Sequence, residues 1–140
     1  MEYIHVTVTS FPAKVARDMS FSFAKLFGGS APSIAMVDAI AKVADGAAVL
    51  LDVRENKEVE AGGKASGAVH IPLLSLKTMA DPRHPDKHAD LNPDAPILIY
   101  CASGARAAMA VKTLAELGYS DVQNIGSIAQ WKAAGGALEA

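Results

Sequence analysis

The chain has 140 residues, 51% of them hydrophobic and 20% charged, with a formal net charge of -2. That balance suits one packed globular domain and excludes a disordered chain. No basic run is present to neutralise phosphates, so nucleic acid is a poor partner, and no apolar run approaches the ~20 residues of a bilayer span. The single cysteine, Cys101, cannot form an internal disulfide, which fits a reducing compartment. The first residues, MEYIHVTVTS, alternate in polarity and lack a basic region followed by an apolar stretch. No signal peptide is read there, and a cytoplasmic protein is expected.

Residues 4–9, IHVTVT, alternate apolar and polar with β-branched residues, the pattern of a half-buried strand. In residues 11–27, Phe11, Val15, Met19, Phe23 and Phe27 recur four apart, a helical stripe that needs cover from the core or from another subunit. Lys14, Arg17 and Lys25 would suit a membrane-surface helix, but Asp18 and two serines dilute that face, so no membrane is expected as a partner. GGSAPS, residues 28–33, reads as a linker. Ser33 can cap a helix carrying Ile34, Val37, Ile40 and Val43, which Gly46 would end. AAVLLDV, residues 47–53, is a continuous apolar run, as in strands buried on both faces of a parallel sheet. NKEVEAGG predicts a short helix with a glycine exit, GAVHIP a short strand, and LLSLKTMA one or two helical turns. DPRHPDKHADLNPDAP is polar and proline-rich, hence a surface loop. PILIYC is a second fully apolar strand, and residues 104–117 predict a helix with Ala108, Val111, Leu114 and Ala115 inward and Gly118 at its end. DVQNI is a strand and SIAQWKAAG a last helix. Strands alternating with helices indicate an α/β domain with a mostly parallel central sheet and helices on both faces. In such sheets chemistry gathers at the carboxyl ends of the strands, where Asp52 and Cys101 lie.

Cys101 sits between a strand and a helix, in YCASGARAAMA. A thiol is nucleophilic as thiolate, and its pKa of about 8.5 falls at helix N-termini and beside cations. The first-turn N–H groups point toward the loop, Arg106 adds a charge, and Gly104 lets the backbone curl around the sulfur. Small neighbours, Ala102, Ser103 and Ala105, would leave the pocket open. Most cysteines that end an apolar strand are buried hydrophobes. The glycine and arginine that follow within the same turn favour a thiolate and anion cradle. His84 and His88 are spaced like metal ligands on a helix, but Pro85 between them makes a solvated loop the better reading, and no metal is assigned. His70, in a short strand, reads as structural.

Three segments carry a resemblance. LLDVRENKEVEAGGKASGAVHIPL resembles the first signature of rhodanese-like sulfurtransferases, on Asp52, Arg54, Glu58, Gly67, Ala68 and Pro72. CASGARAAMAVKTLAELGY resembles the family's active-site loop and its helix, and IGSIAQWKAAG resembles the closing glycine and tryptophan segment, with Trp131. The resemblance covers about residues 33–138. It implies a rhodanese-like domain over 31–140. Residues 1–30 lie outside the resemblance and read as an N-terminal extension of strand plus amphipathic helix, whose apolar stripe a homodimer contact would cover.

The resemblance further implies thiosulfate sulfurtransferase chemistry with no cofactor. Cys101 would take a sulfane sulfur from a small anionic donor such as thiosulfate, become a persulfide, and pass the sulfur to cyanide, an external thiol or a protein acceptor. The backbone of Ala102, Ser103, Gly104, Ala105 and Arg106 would hold the anion, with Arg106 attracting the donor. Asp52, Arg54 and Glu58 would support the site: Arg54 could pair with Glu58 four residues on, and Asp52 could bond the backbone of a neighbouring loop. The chain departs from the family pattern at Lys64, where histidine is common and which could add charge near the site. It departs again at Ala107, where a hydroxyl residue is common, and at Gly126–Ser127, where two glycines are usual. Phosphatase or arsenate chemistry on related folds uses a Cys…Arg loop one residue longer than the four residues between Cys101 and Arg106. A persulfide carrier or binding module with little turnover is the other alternative.

Overall fold

The computed structural model describes residues Ile34–Ala140, which form one compact unit. The strand, helix and linker read in residues 4–33, the Ser33 cap and the proposed dimer contact lie outside the described residues. The unit contains α1 (Met36–Ala44), β1 (Val49–Asp52), α2 (Asn56–Gly62), β2 (Lys64–Ala65), β3 (Val69–His70) and α3 (Leu73–Met79). These are followed by β4 (Ile97–Cys101), α4 (Ala105–Glu116), β5 (Val122–Ser127), α5 (Ile128–Ala133) and β6 (Leu138–Glu139). The main sheet is parallel throughout, in the order β3-β1-β4-β5. None of the described helices is long and apolar enough to cross a membrane.

The period-two alternation of β1 and β4 divides the core into two layers. Leu51, Ile97, Ile99 and Cys101 point to one face and pack with Leu76 of α3 and Ala107, Ala110 and Leu114 of α4. Leu50, Leu98 and Tyr100 point to the other, toward Ala39 of α1 and Trp131 of α5. Neighbouring residues Tyr100 and Cys101 therefore serve opposite layers. Both strands read as continuous apolar runs because both their faces are covered.

Two helical faces differ from expectation by one position. In α1 the stripe is Met36, Ala39, Ile40 and Val43, and Val37 is exposed. In α4 Val111 and Leu114 face inward as expected, together with Ala107 and Ala110, while Ala108 and Ala115 face out. Alanine is indifferent to either face, so an alanine-rich sequence sets the phase of a helix weakly. GAVHIP contributes only a two-residue strand.

An antiparallel clasp, β2 with β6, was not foreseen, because two-residue strands carry no periodicity. It is fixed by Lys64 Nζ to Glu139 Oε2 at 2.5 Å and by Gly67 N–H donating to Glu139 Oε1 at 3.0 Å. Ser66 N–H donates to Ala137 O at 2.9 Å alongside it. Lys64 also donates to Ala68 O, so its charge belongs to this clasp and not to the loop around Cys101.

Beneath the clasp, Asp52 is fully buried at the end of β1. Its carboxylate accepts from the Tyr100 hydroxyl at 2.6 Å, from Arg54 N–H at 2.9 Å and from Arg54 Nη2 at 2.8 Å. The Tyr100 oxygen in turn accepts Ala65 N–H at 2.8 Å, and Arg54 Nη2 donates to Gly63 O at 2.7 Å. Tyr100→Phe keeps the ring but strips Asp52 and the Ala65 N–H of a buried partner. It should cost about 1–3 kcal/mol in urea unfolding with an unchanged denaturant slope; unaltered stability would show that the hydroxyl is dispensable.

Candidate active site

β4 delivers Cys101 to the carboxyl edge of the sheet, and the chain turns at once into α4. The turn is closed by Gly104, which caps α4 with φ +96°, a conformation that side chains other than glycine rarely adopt. Its carbonyl accepts from Asn124 Nδ2 at 3.0 Å, and Asn124 Oδ1 takes Gly126 N–H at 2.8 Å, so β5 braces the loop from behind. This bracing role was missed from sequence. The available signal was a polar residue placed in the β5 segment DVQNI.

The curl wraps backbone N–H groups around sulfur. Cys101 Sγ accepts from Gly104 N–H at 2.9 Å and from Ala107 N–H at 3.4 Å. Burial pushes the thiol pKa up, but the N–H groups of Ala107, Ser103, Gly104 and Arg106 together outweigh it, and the thiol lies below its ordinary value. Ala107 was outside the expected anion-holding set, whereas Ser103, Gly104 and Arg106 belong to it. Ala102 and Ala105 stand exposed beside the cradle, and Ala105 N–H turns to Ser103 Oγ at 3.5 Å. Cys101 is itself 0% exposed, more covered than its small neighbours suggest, while Ala102 and Ser103 beside it are exposed.

The charged residues pair differently from expectation. Arg54 does not reach Glu58; it turns inward to Asp52 and Gly63 O. Asp52 bonds the backbone of Arg54 in its own turn, and it reaches the β2 segment only through the Tyr100 hydroxyl. Glu58 instead crosses to Arg106, 48 residues away, with Nη1–Oε2 at 2.6 Å and Nη2–Oε1 at 2.9 Å. Glu58 Oε2 also accepts Glu55 N–H at 2.8 Å, completing the capping box that starts α2. The Arg106 guanidinium, with help from Glu55 N–H, lowers the Glu58 carboxyl to about 2. A depressed carboxyl contributes stability above the ordinary range of about 4.3 and loses it as pH falls toward about 2. At a third exposure for both side chains, that contribution is modest. Arg106 is therefore paired with Glu58, where the resemblance implied a charge that attracts the donor.

The histidines stay outside the site. His84 Nδ1 and His88 Nδ1 accept N–H groups of Asp86 and Asp90 in their own turns. His70 Nε2 donates to Arg54 O at 2.8 Å, a structural bond as expected. Among the described residues no cluster of potential metal ligands occurs.

Comparison with known proteins gives the family. The model for the rhodanese-like domain matches residues 36–134. The chain is 34% identical over 94 residues to the uncharacterized protein YqhL of Bacillus subtilis, covering 66% of this chain and 65% of that one. It is 32% identical over 84 residues to the adenylyltransferase and sulfurtransferase UBA4 of Meyerozyma guilliermondii, covering 59% of this chain and 20% of that one. The matched region thus spans less than two thirds of either curated relative.

Among solved structures, a Rhodopseudomonas palustris protein of unknown function, described as a possible tyrosine phosphatase, superposes with a TM-score of 0.69 at 34% identity over 76% of this chain and 83% of that one. The human single-domain sulfurtransferase TSTD1 superposes with a TM-score of 0.64 at 25% identity over 74% and 97%. This chain belongs to the rhodanese-like domain family.

The cradle has a direct consequence for reactivity. Alkylation of Cys101 by iodoacetamide, followed against pH, should show a midpoint below the ordinary thiol value of about 8.5. A midpoint at or above that value would mean that the N–H groups do not hold a thiolate.

Proposed function

We propose that this rhodanese-like chain is a sulfurtransferase that carries sulfur as a persulfide on Cys101. The observation that carries this reading is the set of backbone N–H groups converging on Cys101 Sγ, which favours an anion at that atom in an otherwise apolar layer. In the first half-reaction the thiolate attacks the outer sulfur of a small anionic donor such as thiosulfate. A sulfur–sulfur bond forms to Cys101, the donor's own sulfur–sulfur bond breaks, and sulfite leaves with the electron pair. In the second, a thiol acceptor or cyanide attacks the outer sulfur of the persulfide and the Cys101 thiolate is restored. The N–H groups that hold the thiolate face an anion of the same charge, one sulfur longer, after the first step. The sulfurtransferases among the chain's relatives and structural neighbours support the same chemistry.

Phosphoryl or arsenate chemistry fits less well, although one structural neighbour is described as a possible tyrosine phosphatase. The loop has four residues between Cys101 and Arg106, and both terminal nitrogens of that arginine are engaged by Glu58. A phosphoryl group would find neither a wider ring of N–H groups nor a free guanidinium.

Incubation with excess thiosulfate should add one sulfur atom to the intact protein, removable by dithiothreitol and located on the Cys101 peptide by mass spectrometry. Cys101→Ser should remain folded and gain none. Retained sulfur loading in that variant, or a wild type that neither thiosulfate nor an organic thiosulfonate loads, would overturn the assignment. Catalysed turnover with cyanide or a thiol separates an enzyme from a stoichiometric carrier.

A further inference from the structure

The loop from Cys101 to Arg106 contains a single cation, and Glu58 occupies it with a two-pronged pair. The carboxylate cannot simply swing away, because the same Oε2 closes the capping box of α2 through Glu55 N–H. An anion arriving above Cys101 therefore meets a guanidinium whose charge is already paired with a carboxylate. The repulsion from Glu58 offsets part of the attraction to Arg106 for each unit of charge the anion brings, while its desolvation cost rises steeply with charge. A dianion gains little in return for losing a larger hydration shell. A monoanion with an apolar substituent loses less, and it can place that substituent against the exposed small residues Ala102, Ala105 and Ala108.

Resting on the sulfur-transfer reading above, we propose that Glu58 is the specificity-determining residue of this site: by engaging Arg106 it makes the loop select monoanionic sulfane-sulfur donors, of the thiosulfonate class, over dianionic thiosulfate. The step stays balanced for such a donor. The Cys101 thiolate bonds to the outer sulfur of the thiosulfonate, the sulfur–sulfur bond of the donor breaks, and a sulfinate leaves with the electron pair, so two negative charges enter and two remain. Glu58 touches no reacting atom; it acts through Arg106.

Glu58→Gln is the discriminating variant, since an amide oxygen can still accept Glu55 N–H and preserve the α2 cap. Two measurements are made on wild type and variant. The first is kcat/KM with thiosulfate and with benzenethiosulfonate, matched in ionic strength. The second needs no turnover: protection of Cys101 against iodoacetamide by sulfate, which gives a Kd for a dianion. The wild type should prefer benzenethiosulfonate. Glu58→Gln should shift the thiosulfate-to-thiosulfonate ratio about tenfold toward thiosulfate and tighten sulfate binding by about the same factor. Adding Arg106→Ala to Glu58→Gln should reverse the gain in sulfate affinity.

A ratio and a sulfate Kd that do not move, or two donors that lose activity together, would overturn the proposal and leave Glu58 as an α2 cap alone. If neither donor loads Cys101 in the wild type, the sulfur-transfer reading fails. The sulfate measurement then still decides whether Glu58 sets the anion selectivity of the loop.

Discussion

A buried carboxylate governs how this sheet closes. Asp52 is removed from water at the end of β1, where an unpaired charge would cost several kcal/mol. Its partners come from its own turn, Arg54, and from the neighbouring strand, Tyr100; through those two side chains the second layer of bonds reaches Gly63 and Ala65. Such a cluster adds little net stability over a well-packed apolar one, but it strongly penalises wrong pairings. Slipping β4 by one residue against β1 would turn Tyr100 into the other layer and leave Asp52 without its hydroxyl. The same slip would move Cys101 off its face. The register that satisfies Asp52 is therefore also the register that places the thiol, because Tyr100 and Cys101 are adjacent and point opposite ways.

From that anchored strand end the site is assembled in order. β4 emits the sulfur, Gly104 turns the chain back, and α4 starts with its free N–H groups around Sγ. Asn124 holds the turn from β5, and Glu58 holds the arginine from α2. Each support arrives from a different element, so the loop is rigid without any long side chain of its own except Arg106. Preorganised dipoles of this kind stabilise charge without having to reorient when it appears.

Local chemistry made much of this readable in the sequence. The parallel α/β arrangement followed from AAVLLDV and PILIYC, whose uninterrupted apolar character requires cover on both faces. The place of Cys101 at the strand end and its glycine turn followed from strand, Cys101, Gly104 and helix lying in direct succession. What failed was whatever depended on distant residues. Arg54 and Glu58 are four apart and of opposite charge, yet each has a better partner elsewhere, Arg54 in a buried carboxylate and Glu58 in a guanidinium 48 residues away. Spacing along a helix shows who can meet, not who is outcompeted. The clasp between β2 and β6 failed to register because two residues are too few to carry a pattern. In α4 Val111 and Leu114 are inward as read, but Ala108 and Ala115 are not, because alanines mark neither face.

The separation of those partners matters for how the domain folds. Asp52 and Tyr100, and Glu58 and Arg106, are each 48 residues apart, and the sheet that joins them is parallel throughout. These are contacts of high sequence separation, whose chain-closure entropy must be met before they return anything. The N–H groups that acidify Cys101, by contrast, all lie within six residues of it. The cradle is thus a short-range unit, and the distant pairs decide where in the sheet it is held.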